Sequence, residues 1–416
     1  MGHTSLQMKS EELDQADLMS SFRSRFQLPE DTIYLDGNSL GPMLKSVPER
    51  VSKTLHEEWA DGLIRSWNDA DWINLPETVA SRIAPLIGAS PQSVTVTDST
   101  SINVFKVLSA ALMLNRGRKG IVSEKGNFPT DLYLAEGIRD FLGQGHSVRL
   151  AEKDDEILDL VDDDTAVLIL THVDFRTGRM LDMEEITKQA QERGALVVWD
   201  LAHSAGAMPV SLDDVGADFA VGCGYKFLNG GPGAPAFVYV SKKHLGSAWQ
   251  PLTGWFSHRT PFAFDHDYQA SRSIKQFLCG TPPVLSMIAL DESLKLWVEV
   301  DITEVREKSL ALSNFFLECI DGMNLGEIFS TASPLENTKR GSQVSLRLAD
   351  NGYAVMQALI AQGVIGDFRD PDILRFGFAP LYNTFNEVFS AVETLSVIME
   401  TETWKEKRFR QRKAVT

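Results

Sequence analysis

Asp200 and Lys226 are the two residues whose setting most clearly implies chemistry. They lie in the stretch ALVVWDLAHSAGAMPVSLDDVGADFAVGCGYKFLNGGPG, residues 195–233. An apolar run rich in valine ends on Asp200 and reads as a buried strand. A second apolar run, 217–222, leads through Gly222-Cys223-Gly224 to Tyr225 and Lys226, and a glycine-rich loop follows at 229–233. A carboxylate at one buried strand end and an amine just past the next are costly unless something pairs with them. Pyridoxal phosphate uses both: the amine forms a Schiff base, and an anion holds the ring nitrogen protonated.

Other residues fit the same cofactor, each with a plainer alternative. Ser99-Thr100-Ser101 offers hydroxyls and backbone N–H groups at a helix start, suited to a phosphate or simply to capping. Gly222 and Gly224 allow a tight turn, and Tyr225 can donate to the phosphate. His203 could reach the cofactor or Asp200, or be a polar core residue. Phe128 could stack on a ring with Asp131 as a second polar contact; the alternative is packing plus a cap. Arg375 interrupts the apolar run Ile373-Leu374-Arg375-Phe376-Gly377-Phe378. A bidentate clamp on a substrate carboxylate explains it, and so does an internal ion pair with Asp367 or Asp370.

The elements that must position these groups follow a strand–helix alternation from residue 94 onward. Strands are expected at 94–98, 120–124, 146–151, 165–173, 195–201, 217–222 and 236–241, with helices at 102–113, after 131, and at 183–193. This pattern predicts a mostly parallel sheet with helices on both faces. Ligands then bind at the carboxyl ends of strands, where Asp98, Asp131, Thr171, Asp200 and Lys226 all fall. Upstream, helices are expected at 10–25 and 50–60, with residues 65–72 in a loop. Downstream, a helix pair spans 284–320 with a break at 301–303. A small α+β unit follows, with strands at 342–348, 364–368 and 374–378 and helices at 353–361 and 386–405.

The bulk numbers exclude several classes. The chain has 416 residues and a net charge of -17, which argues against nucleic acid or an anionic membrane as partner. Three cysteines, Cys223, Cys279 and Cys319, give no disulfide framework and no zinc pattern. His56-Glu57-Glu58-Trp59-Ala60 lacks the second histidine of a zinc-protease helix. No run is long enough to span a membrane and the N-terminus has no secretory core, so a cytoplasmic location is expected. No metal site is expected.

The assembled motifs resemble the kynureninase family, in its bacterial form. They are Tyr34-Leu35-Asp36-Gly37-Asn38-Ser39-Leu40-Gly41, Gly62 to Trp67, Asn127-Phe128-Pro129-Thr130-Asp131, Trp199 to Gly206, Tyr225 to Gly233 and Arg375-Phe376-Gly377. The resemblance implies the fold-type I architecture of pyridoxal-phosphate enzymes: a large domain with a mostly parallel sheet and a small C-terminal α+β domain. The expected divisions are 1–60, a segment packing with the small domain, 61–295 and 296–416. It also implies hydrolysis of L-kynurenine, and of 3-hydroxykynurenine, to anthranilate (3-hydroxyanthranilate) and L-alanine in tryptophan catabolism or pyridine nucleotide synthesis.

Carried over by position, Lys226 would be the Schiff-base lysine and the base at Cα. Asp200 would pair with the ring nitrogen, and Tyr225 would be the acid that protonates the product side. Thr100, Ser101 and Tyr225 would contact the phosphate. Trp255 and Thr281 would do so from the other subunit of a homodimer. Phe128, Pro129, Thr130 and Asp131 would line the ring, with Thr171 and His203 beside it. Arg375 would take the α-carboxylate, with Asn38, Ser39, Trp67 and Phe256 on the substrate side.

Three other readings compete. A class V aminotransferase or cysteine desulfurase would share the cofactor, but a desulfurase needs a cysteine on a mobile loop, and Cys223 is too close to Lys226. A cofactor-free serine hydrolase could use Ser204, because Ala202-His203-Ser204-Ala205-Gly206 approaches a nucleophile elbow. A non-catalytic scaffold would have lost Lys226.

Overall fold

The structure, a computed structural model, describes residues 2–413. The chain opens with α1 (His3–Gln15), β1 (Ile33–Tyr34), α2 (Val47–Lys53), α3 (Ser66–Asp69) and α4 (Leu75–Ile83). The alternating region holds β2 (Val94–Val96), α5 (Thr100–Leu114), β3 (Gly120–Glu124), α6 (Pro129–Leu142) and β4 (Ser147–Ala151). It continues with β5 (Thr165–Thr171), α7 (Met183–Glu192), β6 (Leu196–Asp200), β7 (Phe219–Cys223) and β8 (Ala236–Val240). Then come α8 (Val284–Leu294), α9 (Ile302–Gly322), β9 (Ser330–Thr331), β10 (Gln343–Arg347) and α10 (Gly352–Ala361). The last are β11 (Val364–Ile365), β12 (Asp367–Arg369), β13 (Ile373–Gly377) and α11 (Phe385–Glu400).

Two compact units result. The larger takes Ser46–Asp174 and Leu181–Glu299; the smaller takes the chain up to Lys45, Phe175–Met180 and the chain from Val300. Among the described residues the larger unit has one seven-stranded sheet, ordered β2-β8-β7-β6-β5-β3-β4. Only β8 runs antiparallel to its neighbours, β2 and β7; the other pairs are parallel. Strands β3, β5, β7 and β8 are buried along their whole length, as expected where helices cover both faces. Val104, Val107, Leu108 and Ala111 of α5 pack with Val167, Ile169 and Val221 of the sheet. Each buried valine, leucine or isoleucine among them stabilises the fold by about 1.5–3 kcal/mol.

Local chemistry sets the helix ends. The Ser99 hydroxyl accepts from Ile102 N at the start of α5. Pro129 opens α6, where its missing N–H costs nothing, and Gly143 closes it in the left-handed region. Asp182 caps α7 by accepting from Glu185 N at 3.0 Å. Asp301 caps α9 at the predicted break, accepting from Thr303 N at 2.8 Å.

The smaller unit has a four-stranded antiparallel sheet, β12-β13-β10-β9. Phe315 and Phe316 of α9, Val344 and Phe376 of the sheet, and Val392 of α11 share its core. The N-terminus is part of this unit: Asp14 of α1 accepts from Phe385 N (2.7 Å) and Asn386 N (2.9 Å), capping α11.

Several expectations need correction. Residues 46–60 do not go with the smaller unit, because α2 packs on α8 in the larger one. The helix expected at 10–25 is two: α1 ends at Gln15, Asp17 Oδ1 accepts from Met19 N, and a 3-10 turn covers Ser20–Arg25. Residues 63–74 form short helical turns rather than a loop. The strand expected at 364–368 splits at Gly366, where a Cβ would meet Arg375 O at 3.0 Å. Its first half, β11, pairs with β1, and its second, β12, with β13. The last helix ends at Glu400, short of 405.

Candidate active site

The carboxyl edge of the larger sheet gathers most of the chemical side chains. Thr171 ends β5 and Asp200 ends β6, directly opposite each other in register. Lys226 follows the end of β7 by three residues. Because β2 runs the same way as β7, the start of α5, with Thr100 and Ser101, opens on this edge too. The turn into α6 carries Phe128, Pro129, Thr130 and Asp131 there.

Asp200 is 3% exposed and accepts from Ala202 N at 2.7 Å. Burial raises its carboxyl above the ordinary range, against the pull of the Ala202 N–H and Lys226. Asp131 is buried as well. Burial and repulsion from Asp200 push its carboxyl well above the usual range, and its Oδ2 is buried with no hydrogen-bond partner. Lys226 Nζ lies 2.9 Å from His203 Nε2 and 5.9 Å from the centre of the Tyr225 ring. The Tyr225 phenol is held above its ordinary value by burial, with Cys223 and Asp200 adding to it, so it stays protonated at neutral pH.

The backbone around these groups leaves no room for larger residues. A Cβ on Gly222 would fall 2.3 Å from the Phe237 ring, and one on Gly224 2.6 Å from Pro235 O. The loop therefore enters close to β8 before it presents Tyr225 and Lys226. Two further residues hold the site and were not singled out from sequence. Asn127 is buried and its Oδ1 accepts from the Thr171 hydroxyl and from Phe128 N (2.8 Å). Lys106, fully buried on α5, pairs with Asp98 and donates to Phe277 O at 2.5 Å. It ties the loop before Thr100 to the segment leading to Thr281. A lysine inside the apolar face of a predicted helix was the available signal.

Trp255 and Thr281 lie on segments joined by Phe256 N, which donates to Cys279 O at 3.2 Å. Thr281 is exposed. Trp255 stacks with Phe264 at 6.1 Å. Phe256 is buried, and its ring centre is 6.2 Å from that of Trp67. Phe128 is 41% exposed, so a face remains for a ligand.

Arg375 belongs to the smaller unit and is 1% exposed. Its Nη2 donates to Asp367 Oδ2 and to Ser39 Oγ, both at 2.5 Å, and its Nη1 to Phe175 O at 2.7 Å. Asp36 Oδ1 is 3.7 Å away. Asp370 pairs instead with Arg412 at 2.9 Å. Asn38 lies beside this group and is buried against Gly377, where a Cβ would fall 2.2 Å from its amide. Burial raises the Asp36 carboxyl to about 7; Arg375 opposes the shift and Asp367 adds to it.

Ser204 is fully buried and its Oγ is 2.8 Å from His172 Nδ1, so it is not an exposed nucleophile. Cys223 is buried, and burial pushes its thiol up, which leaves it unreactive. Among the described residues no group of three or more His, Cys, Asp and Glu side chains could hold a metal.

Comparison with known proteins decides the family. The chain is 48% identical to the kynureninase of Pseudomonas fluorescens over 97% of this chain and 98% of that protein. The chain belongs to the kynureninase family. It is 47% identical to the kynureninase of Burkholderia mallei over the same shares. Residues 305–395 match the kynureninase C-terminal domain. The apo cysteine desulfurase of Thermococcus onnurineus NA1 shares the fold at a TM-score of 0.76 and 20% identity, over 92% of this chain and 98% of that one. A C-DES mutant with glycine covalently linked to its PLP cofactor matches at 0.77 and 17%, over 90% and 98%. The kynureninase family therefore sits here on the fold-type I architecture of pyridoxal-phosphate enzymes.

The larger unit's site fits that cofactor. Two buried carboxylates, one with an unpartnered oxygen, suit a cationic ring N–H. A lysine amine stands beside them, and a helix start suits the phosphate.

Proposed function

We propose that this chain is a pyridoxal-phosphate-dependent hydrolase. It cleaves the Cβ–Cγ bond of L-kynurenine with water to give anthranilate and L-alanine. The observation that carries the reading is Lys226 beside His203, within electrostatic reach of the buried Asp200 and Asp131, in a chain of this family. Bound there, pyridoxal phosphate supplies an electron sink for carbanions formed next to the substrate amine.

The protein's own residues supply the rest. Lys226 would hold the cofactor and then serve as the base toward the substrate Cα proton, and His203, 2.9 Å from its Nζ, would orient the amine. Asp200 would pair with the ring nitrogen and keep it protonated. Asp131, with Phe128, Pro129 and Thr130, lines the ring, and Asn127 fixes Phe128 and Thr171. Thr100, Ser101 and Tyr225 would hold the phosphate. Tyr225, kept protonated by burial, donates the proton that the alanine fragment needs at Cβ. Arg375 offers its guanidinium to the substrate α-carboxylate, and Asn38, Ser39, Trp67 and Phe256 bound the substrate.

The active form is a homodimer in which Trp255 and Thr281 reach the partner's phosphate. Phe262 and Phe264, 56% and 70% exposed beside Trp255, support that surface. A cytoplasmic place in tryptophan catabolism fits the reaction. No helix among the described residues is long and apolar enough to cross a membrane.

The test is an absorbance spectrum of purified protein before and after adding L-kynurenine. A band near ~420 nm with anthranilate fluorescence growing in is expected. The band without anthranilate would move the substrate to another amino acid. No band would overturn the cofactor reading.

A further inference from the structure

The opposite edge of the larger sheet holds a second place for a small molecule. Helices α5 and α6 run back from the carboxyl edge, so their C-terminal ends lie at the amino edge, away from Lys226. Between them and Trp249 is a cavity of about 380 Å³. Leu112, Ile138, Phe141 and Trp249 supply apolar walls, and Phe141 and Trp249 are 79% and 42% exposed. Isolated apolar side chains at a surface need no explanation, but two aromatic rings open to solvent at a cavity do.

The polar part of the lining is cationic in a chain of net charge -17. Its charges are Arg116 and Lys119, beside the neutral Ser109 and Gln144 and beside His146, whose imidazole is held toward its neutral form by burial and by Lys119. Lys119 and His146 are held together, because Ser147 N donates to Lys119 O at 3.1 Å. Arg116 donates its Nε–H to Met113 O at 3.1 Å. Lys119 makes no ion pair among the described residues. Asp164, the nearby acid, gives Oδ1 to the Lys119 backbone N–H at 3.1 Å. His146 Nδ1 is buried with no hydrogen-bond partner. Positive charge and a buried orphan atom thus meet at an aromatic cavity of ligand size.

We propose that this cavity binds a small aromatic organic anion, its ring between Phe141 and Trp249 and its acid group toward Lys119 and His146. The inference does not depend on the reaction proposed above. Helix α5 joins the two places: its first turn carries Thr100 and Ser101, and its last lines the cavity.

The probe is 8-anilino-1-naphthalenesulfonate, titrated by fluorescence into the cofactor-loaded protein. One saturable site per chain is expected, unaffected by saturating L-alanine, an amino acid without a ring. Lys119→Glu and Phe141→Asp should each weaken it by about tenfold or more. Phe141 is so exposed that its variant should fold, and an unchanged absorbance spectrum of the bound cofactor checks this. The uncharged N-phenyl-1-naphthylamine should bind at least about tenfold more weakly. Unchanged affinity in both variants, displacement by L-alanine, or equal binding of the uncharged compound would each overturn the proposal.

Discussion

Asp200 in the larger unit and Arg375 in the smaller are both buried charges, yet their surroundings differ. Arg375 meets Asp367, Ser39 and the Phe175 carbonyl within 2.7 Å, with Asp36 next to them. Asp200 has the Ala202 N–H but shares its pocket with a second carboxylate, Asp131, one of whose oxygens has no partner. Burial is costly without partners. The smaller unit has met that cost with protein groups, while in the larger one oxygen of Asp131 stays without a hydrogen-bond partner. A substrate carboxylate at Arg375 would have to share or displace these partners, whereas a ring N–H at Asp200 would meet a carboxylate whose burial is less fully offset.

Five substitutions at four positions sharpen or break this contrast. Lys226→Ala should remove the amine and cut turnover by at least about 10³-fold; single-turnover kinetics with L-kynurenine that stayed near wild type would sink the assignment. Asp200→Asn keeps shape but loses the charge, and should cost roughly 10²–10³-fold in kcat and weaken cofactor retention on dialysis. If retention and kcat both held, the ring nitrogen does not depend on Asp200.

Arg375→Leu strands Asp36 and Asp367, so a stability loss of about 3–5 kcal/mol is expected, read by denaturant unfolding. Arg375→Lys keeps the charge and should fold, with KM raised more than kcat is lowered. An unchanged KM would leave Arg375 as an internal ion pair only.

Asp36→Asn has the smallest effect and a defined sign. The folded-state value of about 7 lies above the ordinary 3.8. Between those limits the folded protein holds a proton that the unfolded chain has lost, so stability falls as pH rises from about 4 to about 7. The Asn variant should flatten that part of the stability profile, and a profile that kept its slope would mean another group carries it.

Asp200 and Lys226 were legible because each ends or follows an apolar run, and β/α alternation puts such ends on one edge. Asn127 was not, because an asparagine in a turn looks like any other until Thr171 and Phe128 are seen to share its amide. Ser204 read as a possible nucleophile from its neighbours, and only its complete burial against His172 removes that possibility. The N-terminal boundary was misplaced because amphipathic helix signals do not say which core a helix meets: α1 caps α11, while α2 packs on α8.

By itself the sequence determined the local features: the alternating strands and helices, the capped start of α5, the break before α9, and the motifs that mark the kynureninase family. Periodicity, capping and turn chemistry act within a few residues, so they can be read along the chain. The tertiary structure alone decided that Arg375 pairs with Asp367 rather than Asp370, and that His203 meets Lys226. It also decided that Phe175–Met180 belongs to the smaller unit. Those outcomes depend on groups distant in sequence being brought within hydrogen-bond reach, and distance in space is fixed only when the sheets and their helices have packed.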